Sequence, residues 1–242
     1  ALAALVPHRP GWFATEVLDL LLPRCLDPVL EVRHGATHGV AHLIMALARH
    51  AGITGTSTSM PPPPSSSSSW LDAGREVSVV DVVPAMEKAR LYRGKGGEVM
   101  RHASSVLVMA VATAQLAVPI LTRRKLLDSI DENLRHPTPS IQEAAAKALG
   151  AFVRAYMTEG KEVYVRRTTL TYTERLSDIN PAVRRGAALA LGHLSRPLLL
   201  PALGRVLVAL AGLATTLEED VEARDAESRV RATTAITEVC RC

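Results

Sequence analysis

The 242-residue chain carries 28 Lys and Arg against 24 Asp and Glu, for a net charge of +4 and a pI near 9.2. Hydrophobic residues make up 48% but aromatics only 3%, enough for a continuous core of Leu, Val and Ala with few rings for stacking bases. Charges of both signs are interspersed, which argues against nucleic acid as a partner. Cys25, Cys240 and Cys242 form no disulfide framework and fit a reducing, cytoplasmic setting.

In chain order, Phe13, Val17 and Leu21, with Leu18 and Leu22, give residues 12–24 the apolar spacing of a first helix. Asp27-Pro28 opens a second, which runs to about Arg49. Residues 52–75 break the pattern. Their Thr, Gly, Pro and Ser content, with Pro61 to Pro64 and Ser65 to Ser69, cannot bury apolar area and predicts a disordered loop. Residues 75–83 and 162–172 are strand-like by propensity, the second through Val163, Val165, Thr168, Thr169 and Tyr172. The surrounding pattern nevertheless requires a helix across at least the second, so tertiary context is expected to override propensity.

Pro84, Pro119 and Pro197 each stand where a helix can begin. Leu126, Leu127, Ile130 and Leu134 mark one further first helix, and Leu200, Leu203, Leu207, Leu210 and Leu217 another. The run from 106 to 121 is nearly uncharged, but at 16 residues, with Gln115 and Pro119 inside it, it is short of a membrane span.

The second helices share one grammar. Asn180 and Pro181 suit the cap and first position of a helix, and Val183, Ala187, Leu191 and Leu194 form its apolar stripe. Val32, Met100, Ile141 and Val230 are each followed by an arginine or glutamine and then by a pair of small residues one turn on. Small residues there let helix backbones approach while the large ones fill the space. The anchors at 100, 141, 183 and 230 are spaced by 41, 42 and 47 residues, the HEAT or armadillo period. The gap from 32 to 100 is longer because of the loop.

The expected fold is therefore all-α, a HEAT-repeat α-solenoid: a superhelix of about five stacked antiparallel helix pairs. The first repeat occupies 1–51, the loop 52–75, and four further repeats, continuous with the first, 76–242. The chain reads as a piece of a longer solenoid.

Candidate chemistry is sparse. His34, His38 and His42, with His50 beyond, repeat every four residues along one helix, but they fall on the face away from the core stripe. His34 and His42 stand about 12 Å apart along the axis, too far to share an ion. Solvent-facing histidines, and no metal site, are the expectation. Gly94-Lys95-Gly96-Gly97 lacks the frame and the Ser or Thr of a nucleotide-binding loop and reads as a flexible turn between helices. Cys240 and Cys242 lack a second metal-binding pair, and no nucleophile–histidine arrangement has local support. A non-catalytic chain without cofactors is expected. Arg33, Arg101, Arg184 and Arg231 hold one slot in four repeats, with Arg185 beside Arg184. They either pair with acidic residues or helix ends of the adjoining repeat, or form a charged ladder that meets an acidic partner.

Three passages go beyond a generic repeat: residues 26–36 (Leu-Asp-Pro-Val-Leu-Glu-Val-Arg-His-Gly-Ala), 90–101 (Arg-Leu-Tyr-Arg-Gly-Lys-Gly-Gly-Glu-Val-Met-Arg), and 178–192 with its Leu-Ala-Leu-Gly ending. With Ala226-Glu-Ser-Arg229 they resemble, in the same order, the tubulin-folding cofactor D family of HEAT-repeat tubulin-specific chaperones. The likeness covers most of 12–240, excepting 52–75. It implies binding of β-tubulin after chaperonin release, help in assembling the α/β-tubulin heterodimer, and action with tubulin-folding cofactors C and E and an ADP-ribosylation-factor-like small GTPase. It also implies stimulation of tubulin's GTP hydrolysis, so that catalysis belongs to the partner, and a place in the cytoplasm with the microtubule cytoskeleton. No residue-level motif transfers with it. The rival readings are a HEAT adaptor or transport scaffold for another protein cargo, and a HEAT-like enzyme acting on nucleic acid or a pigment.

Overall fold

The computed structural model describes residues 2–53, 70–94, 96–157, 162–215 and 225–241. All regular structure among them is helical. The α-helices of seven residues or more are α1 (Leu30–His50), α2 (Ala73–Val80), α3 (Val82–Lys88), α4 (Gly97–Thr113), α5 (Ile120–Leu134), α6 (Pro139–Tyr156), α7 (Glu162–Arg175), α8 (Pro181–His193), α9 (Leu203–Thr215) and α10 (Ala226–Arg241). This is the all-α HEAT-repeat class. Two compact units divide the chain, Ala1–Ser129 and Ile130–Cys242. Most of the Pro/Ser tract lies outside the described residues.

In the N-terminal unit, α1 packs on α4, with the short segments before residue 27 against its other side. Val6, Phe13, Leu18 and Cys25 are buried there. Residues 12–24 are not one regular helix: a π turn occupies Phe13–Val17, and Pro23 starts a 3-10 turn. The strand-prone stretch at 75–83 is helical because its burial follows a period of three to four. Glu76, Val79, Val80, Val83 and Met86 face inward while Val77 is exposed. Pro84 has no N–H for the carbonyl of Val80, which separates α2 from α3 at Asp81. The buried Glu76 Oε1 accepts from the amide of Ala117 at 2.5 Å and so fixes the turn after α4.

In the C-terminal unit, α8 lies beside α6 and α10, with α7 and α9 behind them. Asn180 caps α8, its Oδ1 accepting from Ala182 N at 2.9 Å. The strand-prone 162–175 stretch is helical because its threonines find helical partners. Thr173 Oγ1 donates to the carbonyl of Thr169, and Thr169 Oγ1 to that of Leu198. Tyr172 and Leu176 supply the buried face.

The repeat grammar holds for Met100 and Ile141, both buried with the stripes that follow them. The last helix departs from it. Val230 is 61% exposed, and the buried stripe of α10 is Ser228, Ala232, Ala235 and Val239. The phase differs because α10 begins on Asp225, whose carboxylate takes both the amide and the hydroxyl of Ser228. Thr233 and Thr234, expected in the small-residue slot, face solvent.

One joint in this unit is especially close. Gln142, 1% exposed, donates from Nε2 to Leu134 O at 2.9 Å and to Ala182 O at 2.6 Å. It thus ties the end of α5 to the start of α8. Beside it Gly186 sits against the same carbonyl: a Cβ there would lie 1.8 Å from Leu134 O.

Candidate partner-binding surface

The arginines of the repeated slot are engaged inside the fold. Arg33, itself buried, donates from Nη1 to Pro28 O at 2.8 Å and Asp27 O at 3.4 Å. Arg184 repeats this clamp on the carbonyls of Ile179 and Asp178, at 3.1 and 2.9 Å. In both repeats the aspartate side chain accepts the amide two residues on, Val29 N or Asn180 N, at 2.8 Å. The slot is therefore a lock on the turn between the two helices of its own repeat. A charged donor holding orphan carbonyls at that turn needs no outside partner.

Arg184 and Arg185 also reach across to α10, pairing with Asp225 at 3.3 and 3.7 Å, and Arg185 meets Glu227 at 3.4 Å. Arg185 donates to Pro137 O as well. Both side chains are mostly buried, at 12% and 14% exposed. Arg231, out of phase with the slot, pairs with Glu143 at 2.7 Å. Arg101 lies over the ring of Tyr92, 5.2 Å from its centroid. A partner meeting these guanidinium groups would have to displace internal contacts, and the partly buried Arg184–Asp225 pair is costly to break from one side. Lys147 and Arg154 of α6, two turns apart, are among the exposed cations of the C-terminal unit.

The histidines are not all solvent-facing. His38 is half-buried where α1 meets α4. Its ring lies 4.7 Å from His34, 6.1 Å from His42 and 5.8 Å from His102 of α4. The expectation failed because the seam with α4 covers a second face of α1, one that the core stripe alone does not reveal. Burial, and then the neighbouring imidazoles of His34, His102 and His42, hold His38 down to about 4. Its folded value is below the ordinary 6.5, so its contribution to stability is complete above pH 6.5 and drains away as pH falls from 6.5 to 4. Thermal melts at pH 7 and pH 4.5 should show a larger loss for the wild type than for His38→Gln. Equal losses would remove His38 from the pH response. Among the described residues no group of three or more His, Cys, Asp or Glu is disposed to hold a metal ion.

The glycine-rich passage is a built turn. Arg90, Gly94 and Gly96 adopt left-handed conformations, and a Cβ on Gly97 would lie 2.2 Å from Tyr92 O. Gly96 packs on the side chain of Leu30, so residues 90–101 seat the start of α4 against the start of α1. Lys95 lies outside the described residues. Burial pushes the Tyr92 phenol up to about 12, and it pushes the Cys25 thiol up to about 11, which leaves that thiol inert at neutral pH.

A family profile described as Maestro, HEAT repeats, matches residues 14–208, most of the chain. The chain belongs to the Maestro HEAT-repeat family. No solved structure matches it. As a Maestro HEAT protein it is a helical scaffold, and the match runs through the seam of α1 and α4, the Gln142 joint and the Arg184 clamp. The profile stops within α9, before the out-of-register α10. Among the described residues one apolar stretch, Arg196–Thr215, is long and apolar enough to cross a membrane. Here it is broken by the 3-10 turn Leu200–Ala202 and buries Leu198, Leu199, Val206 and Leu210.

Proposed function

We propose that this scaffold is a segment of a tubulin-folding chaperone of the cofactor D kind, a non-catalytic chain that holds β-tubulin after chaperonin release and assists α/β heterodimer assembly. Cofactors C and E and an ADP-ribosylation-factor-like GTPase would be its co-workers in the cytoplasm, and GTP hydrolysis would be carried out by tubulin. The observation that carries the reading is the passage 90–101. A generic HEAT turn does not demand Arg-Leu-Tyr-Arg-Gly-Lys-Gly-Gly, and here it builds a specific joint from Arg90, Tyr92, Gly96 and Gly97. A stack of repeats suits a large partner, and a basic chain favours encounter with acidic tubulin.

The test is capture of β-tubulin, released from chaperonin, on the immobilised full chain. Retention of β-tubulin in preference to a control acidic protein of similar size supports the reading. No retention overturns it. The Maestro HEAT membership favours a second reading, an adaptor for another protein cargo. Capture of a different protein, with β-tubulin passing through, would select that one.

A further inference from the structure

The outer side of α9 lacks the charges that a solvent-facing helix surface normally carries. Its exposed stripe is Gly204, Arg205, Val208, Ala211, Gly212 and Thr215. Thr215 turns its hydroxyl back onto Ala211 O at 2.8 Å, which leaves Arg205 as the stripe's one charge. By contrast α5, also the first helix of its pair, shows Arg124, Lys125, Asp128 and Glu132 to solvent. In the middle of the α9 stripe Val208 is 74% exposed, while Val206 and Leu210 on the opposite side are buried.

The stripe is symmetric about Val208. Gly204 stands one turn before it and Gly212 one turn after, and a Cβ on either would meet nothing within 4 Å. Glycine is a poor helix former. Two of them in the helical stretch 196–215, with no close neighbour inside the chain, leave room for a helix from outside it. In an antiparallel pairing of two α9 helices about a two-fold axis at Val208, Gly204 of one copy lies opposite Gly212 of the other. Val208 then meets its own counterpart. A pattern that reads the same from both ends fits an isologous contact, in which each copy offers the same patch.

The charges beside the stripe fit the same occupant. Thr173 and Glu174 of α7 face Gly204, Arg205, Val208 and Ala209 across an open groove. Glu174 and Arg205 are both exposed, and neither has an ion pair among the described residues. A groove of one sign would repel a second copy. One acid and one base instead let each copy's Arg205 offset the other's Glu174.

We infer that the α7–α9 face, centred on Val208, is a self-association surface that pairs two copies of this chain through antiparallel α9 helices. The pairing is independent of which cargo the scaffold holds.

Sedimentation velocity of the full chain, at concentrations up to about 100 µM, should show a monomer–dimer equilibrium. Val208→Glu should weaken it at least about tenfold, because the new carboxylate would be buried without a partner. Arg205→Glu should weaken it too, and Arg205→Glu with Glu174→Arg should restore it. That charge exchange decides the matter if Val208→Glu misfolds. Gly204→Ala with Gly212→Ala should loosen the dimer yet raise the melting temperature of the dilute chain, since alanine is the better helix former where space is open. A chain that stays monomeric overturns the inference, as does a dimer that Val208→Glu leaves unchanged. An exchanged pair that associates no better than Arg205→Glu alone overturns it as well. A monomer that floats with phosphatidylcholine vesicles, and stops doing so as Val208→Glu, assigns the stripe to a membrane instead.

Discussion

Gly186→Ala should lower stability by about 3 kcal/mol and the melting temperature by on the order of 10 °C. In an open helix the same change helps, since alanine is better than glycine in a helix interior by about 1 kcal/mol. The geometry decides the sign. The new methyl would lie 1.8 Å from Leu134 O and 2.7 Å from its carbonyl carbon. These are backbone atoms at the end of α5, which cannot rotate away as a side chain would, so α8 must move as a body. Gly35 offers the internal control. It occupies the same slot of the first repeat, three residues after Val32 as Gly186 is after Val183. Nothing lies within 4 Å of its would-be Cβ, so Gly35→Ala should stabilise by about 0.5–1 kcal/mol. Melting both variants against the wild type gives opposite shifts if the close approach at Gly186 is real. A Gly186→Ala protein that melts at or above the wild-type temperature would show that the two helices do not meet there.

Gln142→Leu should cost about 2–4 kcal/mol, although it keeps the volume and gains hydrophobicity. The amide of Gln142 serves two buried carbonyls, Leu134 O and Ala182 O. Leu134 is the last residue of α5, where helix carbonyls lack intrahelical partners. Leucine leaves that oxygen dry and unsatisfied. Urea unfolding of the variant should show the loss in midpoint. Because Gly186 and Gln142 share the Leu134 carbonyl, the double variant should cost less than the sum of the two. An additive result would mean the two contacts are independent.

The recurring pattern of apolar anchors and small pairs at a pitch near forty was legible because helix periodicity and repeat length are properties of the linear chain. Met100, Ile141 and their stripes are buried as that pattern requires. The fifth repeat misled at Val230, because the Asp225 cap starts α10 in a phase that the apolar spacing does not encode. The arginine slot was visible as a ladder, and internal pairing was one of its two readings. Whether a guanidinium faces a carbonyl at its own turn, as Arg33 and Arg184 do, or a distant carboxylate, as Arg231 does, depends on which atoms the packed helices bring near it. Lys147 carried no signal, since no other repeat has a lysine or arginine six residues after its anchor. Lys147 stands only four residues after Glu143, which pairs with Arg231 instead.

The sequence by itself determined that this chain is helical, that the helices come in repeating pairs, and that small residues recur where backbones can close. Local preferences and a period summed over many residues are enough for that. Tertiary structure alone decided that Gly186 is indispensable while Gly35 is free, that His38 is half-buried beside His102, and which cations are left exposed. Those outcomes turn on distances of a few ångströms between segments far apart in the chain, and equivalent slots in a repeat do not have equivalent neighbours.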